Sequence, residues 1–317
     1  MRIGVDVGGM SIKFGLVNEA YEIVAGKVIE THRESQSAEE IIARMAAAVL
    51  ELLEENGLTQ EDCDGIGIAC PGTSDPVNGV IVYSNNIEWE NVPILAMLGE
   101  KLHMPMALAN DADAAALGEV LDGAAKGKRN AVLLTLGTGV GGGVIIDRKV
   151  FSGPLRGGCE LGHMVIERGG KQCTCGRRGC LETYASATAL MEEAREKAAL
   201  YPESLMNELS GNNPDNIKGK LIYDAKKRGD AAATAVVEEY EENLSIGIAN
   251  LINVFRPEVF ILGGGVSAQK EYLTDALQAK VSRMCFGGSL GEIPPIVTSR
   301  LGNDAGIIGA AYLNMEA

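Results

Sequence analysis

The sequence predicts an α/β protein of two domains built on an internal duplication, and three observations predict it. Short apolar, β-branched runs alternate with amphipathic or alanine-rich stretches along the chain, as strands alternate with helices. The 317 residues suffice for two domains of ordinary size and a large buried core. A glycine-rich turn between two apolar strands occurs twice, within residues 3–17 and again within 133–146.

Composition narrows the function. Aromatic residues are 4% of the chain, so aliphatic side chains carry the core. Asp and Glu number 43 against 28 Lys and Arg, a net charge of −15. That surface repels phosphate backbones and anionic lipid, so neither nucleic acid nor a membrane is expected as a partner. The odd cysteine count, 7, fits a reducing compartment. The chain enters its first strand without a basic and then apolar leader, and no apolar run approaches the ~18 residues of a membrane span. A cytoplasmic protein is expected.

Residues 2–7 read as a buried strand, Gly8-Gly9 as a tight turn, and 11–18 and 22–30 as two further strands. Asp6 stands just before the turn. Successive N–H groups of such a turn make an anion nest, and Asp6 beside it suits a hydrated Mg²⁺. A plain Gly-Gly hairpin turn capped by Asp fits the same residues. Residues 37–56 predict an amphipathic helix, from Ser37 as N-cap to Gly57 as stop. A strand at 64–69 ends in the rigid turn Cys70-Pro71-Gly72, and a short strand at 79–83 leads to Asn85, Asn86 and the single tryptophan, Trp89. Amides beside an indole suit a hydroxyl-rich ligand or an ordinary turn. After a helix at 92–102, a strand at 105–109 delivers Asn110-Asp111-Ala112-Asp113 to a helix at 112–125. A strand end holds an aspartate rigidly enough for a general base; Asp111 or Asp113 also fits a helix cap.

The strand 131–136 runs into Gly137-Thr138-Gly139-Val140-Gly141-Gly142-Gly143, which contains G-x-G-x-x-G. The dinucleotide fingerprint requires a helix directly after its glycines. Here Val144-Ile145-Ile146 is β-branched and 147–149 reads as a turn, so a Rossmann site is rejected. Two such hairpins can grip the two ends of a triphosphate. Residues 158–182 then break the regular pattern. His163, Cys173, Cys175 and Cys180 follow His-x9-Cys-x-Cys-x4-Cys, four ligands able to close a tetrahedral zinc site. Scattered free thiols are the alternative, which this spacing disfavours. Four protein ligands leave no position for a catalytic water, so a structural ion is expected. Glu160 and Glu182 bracket the cluster.

Beyond it lie a helix at 184–200, shorter helical pieces over 203–229, a long helix at 230–254 and a strand at 258–262. Gly263-Gly264-Gly265 precedes a helix at 267–284, a junction suited to a phosphate or nucleoside. A strand at 295–298 and a small-residue helix at 304–317 close the chain. The domain limit is expected near residue 110, with a smaller domain 1–110, a larger domain 111–303 carrying the zinc loop 159–182, and the last helix packing back on the first domain.

Asp6-Val-Gly-Gly9, Asn110-Asp111, Leu136-Gly-Thr-Gly-Val-Gly-Gly-Gly143, Glu160-Leu-Gly-His163, Cys173-x-Cys175-x4-Cys180-Leu-Glu182 and Gly263-Gly-Gly265 occur in this order over essentially the whole chain. Together they resemble the ROK family of bacterial sugar kinases and repressors, and within it the glucokinases. The glutamate–histidine and cysteine block is the specific part. The resemblance implies the duplicated ribonuclease-H-like, actin-like ATPase fold, with a sugar in a cleft between two domains. It implies ATP-dependent phosphorylation of a hexose, glucose to glucose 6-phosphate. Asp111 is then the general base for the sugar 6-hydroxyl. Asn110, Glu160, His163 and Glu182 bind the sugar, with Asn85, Asn86 and Gly72 nearby. Asp6, Gly8, Gly9, Ser11, Lys13, Thr138 and Gly139 face the phosphates of ATP and Mg²⁺, and Gly264 and Gly265 face the nucleoside. His163, Cys173, Cys175 and Cys180 hold a structural Zn²⁺. The implied partners are a sugar, a nucleotide and a second copy in a homodimer.

One position departs from the family pattern. Met10 stands where Asp-x-Gly-Gly-Thr has Thr, and Ser11 offers a hydroxyl one position later. Three other readings compete. A kinase for fructose, N-acetylmannosamine, N-acetylglucosamine or allose would share the same carboxylates. A repressor of the family would carry a helix-turn-helix ahead of the first strand, where none is read, and the acidic charge disfavours DNA. A zinc module without catalysis leaves Asp111 and three glycine turns unexplained.

Overall fold

The computed structural model describes residues 1–153, 157–288 and 293–313. It opens with an antiparallel meander, β1 (Arg2–Val7), β2 (Ser11–Val17) and β3 (Ile23–Glu30). Ile3, Val5, Val7, Ile12, Phe14 and Leu16 of the inner strands are buried, whereas β3 alternates half-buried and exposed positions, as a sheet edge does. α1 (Ala38–Glu55) begins at Ser37, which forms a reciprocal capping box with Glu40. It buries Ile41, Met45, Val49 and Leu52 along one stripe. β4 (Ile66–Cys70) is followed by a three-stranded antiparallel sheet of β5 (Thr73–Asp75), β6 (Val80–Ser84) and β7 (Trp89–Val92). Sequence reading found only the middle strand, because three or four residues carry too little periodicity. α2 (Ile94–Gly99) is shorter than the expected 92–102 and leads to β8 (Met106–Asn110) and α3 (Asp111–Leu121). The first large sheet has the order β3-β2-β1-β4-β8, with β1, β4 and β8 parallel.

The second large sheet repeats this plan. β9 (Ala131–Leu136), β10 (Val140–Ile146) and the two-residue β11 (Lys149–Val150) correspond to the first meander. Asp147 and Arg148 make the last turn with φ of 51° and 64°. With β12 (Val259–Gly263) and β13 (Ile296–Thr298), the order is β11-β10-β9-β12-β13, the same permutation as in the first sheet. The duplication read from the two glycine turns is therefore topological. A strand, β10, follows the second turn, as the rejection of a Rossmann site requires. The helices of this half are α4 (Glu182–Ala185), α5 (Ala187–Leu200), α6 (Leu205–Ser210), α7 (Gly219–Lys227), α8 (Ala231–Phe255) and α9 (Glu271–Met284). α9 does not start at 267: residues 265–269 form a 3-10 turn, and Lys270, at φ 51°, ends it before the helix begins.

The chain forms two compact units, Met1–Ala131 with Gly143–Cys159 and Arg300–Ala317, and Val132–Gly142 with Glu160–Ser299. The limit expected near residue 110 does not coincide with this division. α3 belongs to the first unit because the closing helix, α10 (Ala305–Ala311), lies on it backbone to backbone. A Cβ at Gly309 would come 1.7 Å from the Ala114 carbonyl oxygen. Ala310 and Ile307 of α10 reach Gly67 of β4 and Gly4 of β1 in the same way. α10 ends at Ala311, short of the expected 304–317, and residues 314–317 lie outside the described residues. Among the described residues no helix is long and apolar enough to cross a membrane.

Candidate active site and metal centre

In the first unit the candidate residues collect at the carboxyl ends of the parallel strands, where open α/β sheets place their ligands. Register puts Asp6 of β1 beside Ala69, and Cys70 beside Asn110. The sequence left open whether an aspartate caps α3. The cap is Asn110: its Oδ1 accepts the Ala112 N–H at 2.8 Å, while its Nδ2 donates to the Gly72 carbonyl at 3.0 Å. Asp111 is the first helical residue, and its Oδ1 also accepts from Ala112, at 2.9 Å. Burial holds its carboxyl above the ordinary aspartate range, opposed by the Ala112 and its own N–H groups and by the Asn110 side chain. Asp113, the other cap candidate, is buried at 2% exposure on the same turn.

Asp6 is likewise raised, first by burial and further by the Asp111 charge, with Lys13 opposing. The Lys13 ammonium, on the cross-strand partner of Asp6, lies 3.8 Å from its carboxylate. The Gly8-Gly9 turn closes with Gly8 N–H donating to the Ser11 carbonyl at 3.0 Å. Gly9 packs against the loop of Asn85 and Asn86: a Cβ there would come 2.8 Å from the Asn86 carbonyl oxygen. Both asparagines are exposed. Two residues that hold this turn escaped sequence reading. The Thr31 hydroxyl donates to the Gly8 carbonyl at 2.6 Å, and Arg33 donates to the Asn86 carbonyl. Met10 is 87% exposed.

In the second unit, His163 ends a 3-10 turn (Leu161–His163) that Glu160 precedes. The ligand atoms of His163, Cys173, Cys175 and Cys180 lie within 4.8 Å of one another. His163 Nδ1 is 3.6 Å from Cys173 Sγ, and Cys175 Sγ is 3.7 Å from Cys180 Sγ. A tetrahedron with metal–sulfur bonds of about 2.3 Å and a metal–nitrogen bond of about 2.0 Å has edges of roughly 3.5–3.8 Å. The four residues therefore form a candidate Cys₃His metal site, fitted in both donor type and spacing. Nδ1 faces the thiol, so Nε2 is the imidazole nitrogen left for another partner. The loop folds this tightly because Cys173 N–H donates to the Arg177 carbonyl and Gly176 N–H to the Cys173 carbonyl.

Glu182, directly after the cluster, places Oε1 3.8 Å from Cys173 Sγ, while Oε2 accepts the Val140 N–H at 3.0 Å. A Cβ at Gly139 would come 2.3 Å from that oxygen, so a larger residue there would displace the Glu182 carboxylate. Thr138, at the tip of this turn, is exposed. The turn after β12 stands beside it: Gly264, at φ +82°, approaches Leu136 so closely that a Cβ would meet the Leu136 carbonyl oxygen at 2.4 Å. Thr138, Gly139, Glu182, Gly264 and Gly265 thus share one edge of the second unit.

Comparison with known proteins agrees with this arrangement. Residues 2–317 match the ROK family. The chain is 38% identical over 315 residues to a glucokinase of Thermotoga maritima, covering 99% of this chain and 97% of that protein. It is similar to the crystal structure of a ROK family glucokinase from Streptomyces griseus in complex with glucose and AMPPNP, with a TM-score of 0.80 and 34% identity over 98% of each chain. The ROK hexokinase from Thermus thermophilus gives 0.82 and 33%, over 98% of this chain and 97% of that one. The duplicated sheets are therefore those of the actin-like ATPase fold, and the class is sugar kinase. The chain belongs to the ROK family.

Proposed function

We propose that this chain transfers the terminal phosphoryl group of ATP to the 6-hydroxyl of a hexose, glucose first of all. Asp111 carries the reading: a half-buried carboxylate at the junction of β8 and α3, held by burial above its ordinary range, has the properties of a general base. Asp111 accepts the hydroxyl proton as the oxygen attacks phosphorus. Asn110, Glu160, His163 and Glu182, with Asn85, Asn86 and Gly72, bind the remaining hydroxyls and orient the acceptor, which is most of the work in phosphoryl transfer.

Asp6 holds Mg²⁺, which neutralises phosphate charge. The N–H groups around Gly8, Gly9, Thr138 and Gly139 cradle the phosphates, Ser11 and Lys13 lie alongside, and Gly264 and Gly265 border the nucleoside. His163, Cys173, Cys175 and Cys180 hold Zn²⁺ in a structural role; their spacing supports it. None of the seven cysteines is paired in a disulfide, which supports the cytoplasm, and the family resemblance supports a homodimer.

A coupled assay of ADP release over a panel of hexoses tests the reading. Glucose should give the highest kcat/KM, ahead of fructose, allose, N-acetylmannosamine and N-acetylglucosamine. Hydrolysis indifferent to sugar, or no ADP at all, would overturn it.

A further inference from the structure

We propose that Thr188 is a positioning residue for the second glycine turn, fixing the direction of the N–H groups that meet the nucleotide phosphates. The proposal rests on the reading of residues 137–140 as a phosphate-binding turn. Three successive carbonyls of that turn are each taken by an internal donor. The Gly137 carbonyl accepts the Ala187 N–H at 2.8 Å, the Thr138 carbonyl accepts the Thr188 hydroxyl at 2.8 Å, and the Gly139 carbonyl accepts the Gly137 N–H at 3.0 Å. In a planar trans peptide the C=O and the following N–H point in opposite directions. Pinning the carbonyls of Gly137 and Thr138 on the first turn of α5 therefore aims the N–H groups of Thr138 and Gly139 the other way. The third plane is fixed at both ends, since the Val140 N–H goes to Glu182.

The orientation matters because a phosphate is attracted by N–H and repelled by a carbonyl oxygen. A glycine-rich turn is free to flip its peptide planes, and a flip of the 138–139 plane would turn an acceptor toward the phosphate. Three bonds from residues 182–188, which leave the cysteine cluster two residues after Cys180, oppose that flip. Thr188 supplies the only one of them made by a side chain outside the sites assigned above. It is half-buried at the second position of α5, where Ser186 is the cap, so its hydroxyl is not needed to start the helix.

The test compares the full-length wild type with Thr188→Val and Thr188→Ser. Calorimetry measures affinity for Mg²⁺-AMPPNP and, separately, for glucose; amide hydrogen exchange reads residues 137–140. The valine variant should bind AMPPNP roughly three- to tenfold more weakly, the loss expected for one hydrogen bond, with glucose affinity unchanged. Exchange at Gly137 and Val140, whose N–H groups are bonded within the turn, should accelerate in it. Serine, which restores the hydroxyl, should return both to within about twofold of wild type. A general loosening of α5 would instead weaken both ligands and lower the melting temperature of both variants, and that pattern overturns the proposal. So does a valine variant with wild-type nucleotide affinity and exchange. If wild type binds no AMPPNP, the nucleotide reading has failed, and the exchange rates alone decide whether Thr188 holds the turn.

Discussion

The Glu119 carboxylate accepts the backbone N–H of Arg300 through both of its oxygens, at 3.0 and 3.1 Å. It also accepts from Leu301 at 2.9 Å and from Ala124 at 2.7 Å. Glu119 is buried at 0% exposure, so these N–H dipoles replace the water its charge has lost. Arg300 is where the chain re-enters the first unit, and Glu119 lies on the helix that begins at Asp111. One carboxylate therefore anchors the returning chain to the helix that carries the candidate base. Glu119→Gln keeps the shape but turns a donor toward these N–H groups. It should cost about 2–3 kcal/mol in urea unfolding; an unchanged midpoint would show that the tie contributes nothing.

The contact between α3 and α10 leaves no room for a methyl group. Gly309→Ala should cost about 3 kcal/mol or prevent folding, because backbone must yield on both helices. Gly219 is the contrast: it stands in α7 with nothing near its missing Cβ. Gly219→Ala should be neutral or stabilise by about 0.5–1 kcal/mol. Thermal melts of the two variants, shifting in opposite directions, check the packing of the closing helix.

Replacing Asp111 by Asn should lower kcat by several orders of magnitude while glucose binding by calorimetry stays near wild type, and near-normal turnover would remove Asp111 from the mechanism. The pH dependence has a definite sign. Burial raises the folded-state pKa above the ordinary 3.8, and a base works only when ionised. The acid limb of kcat/KM therefore lies above the ordinary aspartate range.

Stability runs in the same window with the opposite preference. The folded chain binds the Asp111 proton more tightly than the unfolded chain, so this contribution is fully present below 3.8 and is lost as pH rises through the raised value. Asp6 adds to it with the same sign. Asp111→Asn, permanently neutral, should melt above wild type at neutral pH and converge with it in acid.

Metal analysis of the purified protein should find about one zinc per chain. Cys175 is the exposed ligand of the four, so Cys175→Ser disturbs packing least. It should lose the zinc, lower the melting temperature and increase proteolytic cleavage within residues 163–180. A metal-free wild type with an ordered loop and full activity would refute the structural role.

The Met10 side chain is almost wholly exposed, whereas its carbonyl accepts the Thr31 N–H at 3.0 Å and Thr31 also holds Gly8. Backbone and Thr31, rather than the side chain at position 10, shape the first turn. Met10→Thr should change kcat and the KM for ATP by less than about threefold, whereas Thr31→Val should raise that KM. Equal effects of the two substitutions would contradict this division of labour.

Much of the architecture was legible because it is local. A strand, a glycine pair and a second strand announce a hairpin within fifteen or so residues, and the same pattern at β9–β10 announces its repeat. His163 to Cys180 is local in the same sense, since a metal cluster on one loop is a matter of spacing. The short strands β5, β7 and β11 were missed because two to four residues leave no pattern to read, and the start of α9 was misplaced by a 3-10 turn that keeps the same polar and apolar order.

By itself the sequence determined which residue types stand at which turns: Asp before the first glycines, Asn-Asp at the end of β8, and the thiols and imidazole of the loop. Only the tertiary structure decided which of them do what. Asn110 rather than Asp111 or Asp113 caps α3, because the cap requires extended backbone, and φ −65° with ψ 151° occurs at Asn110. Thr31, Thr188 and Glu119 found backbone partners 23, 50 and 181 residues away. A hydrogen bond from one side chain to a distant peptide group leaves no periodicity or spacing behind, so it becomes visible only once packing has brought the two segments together.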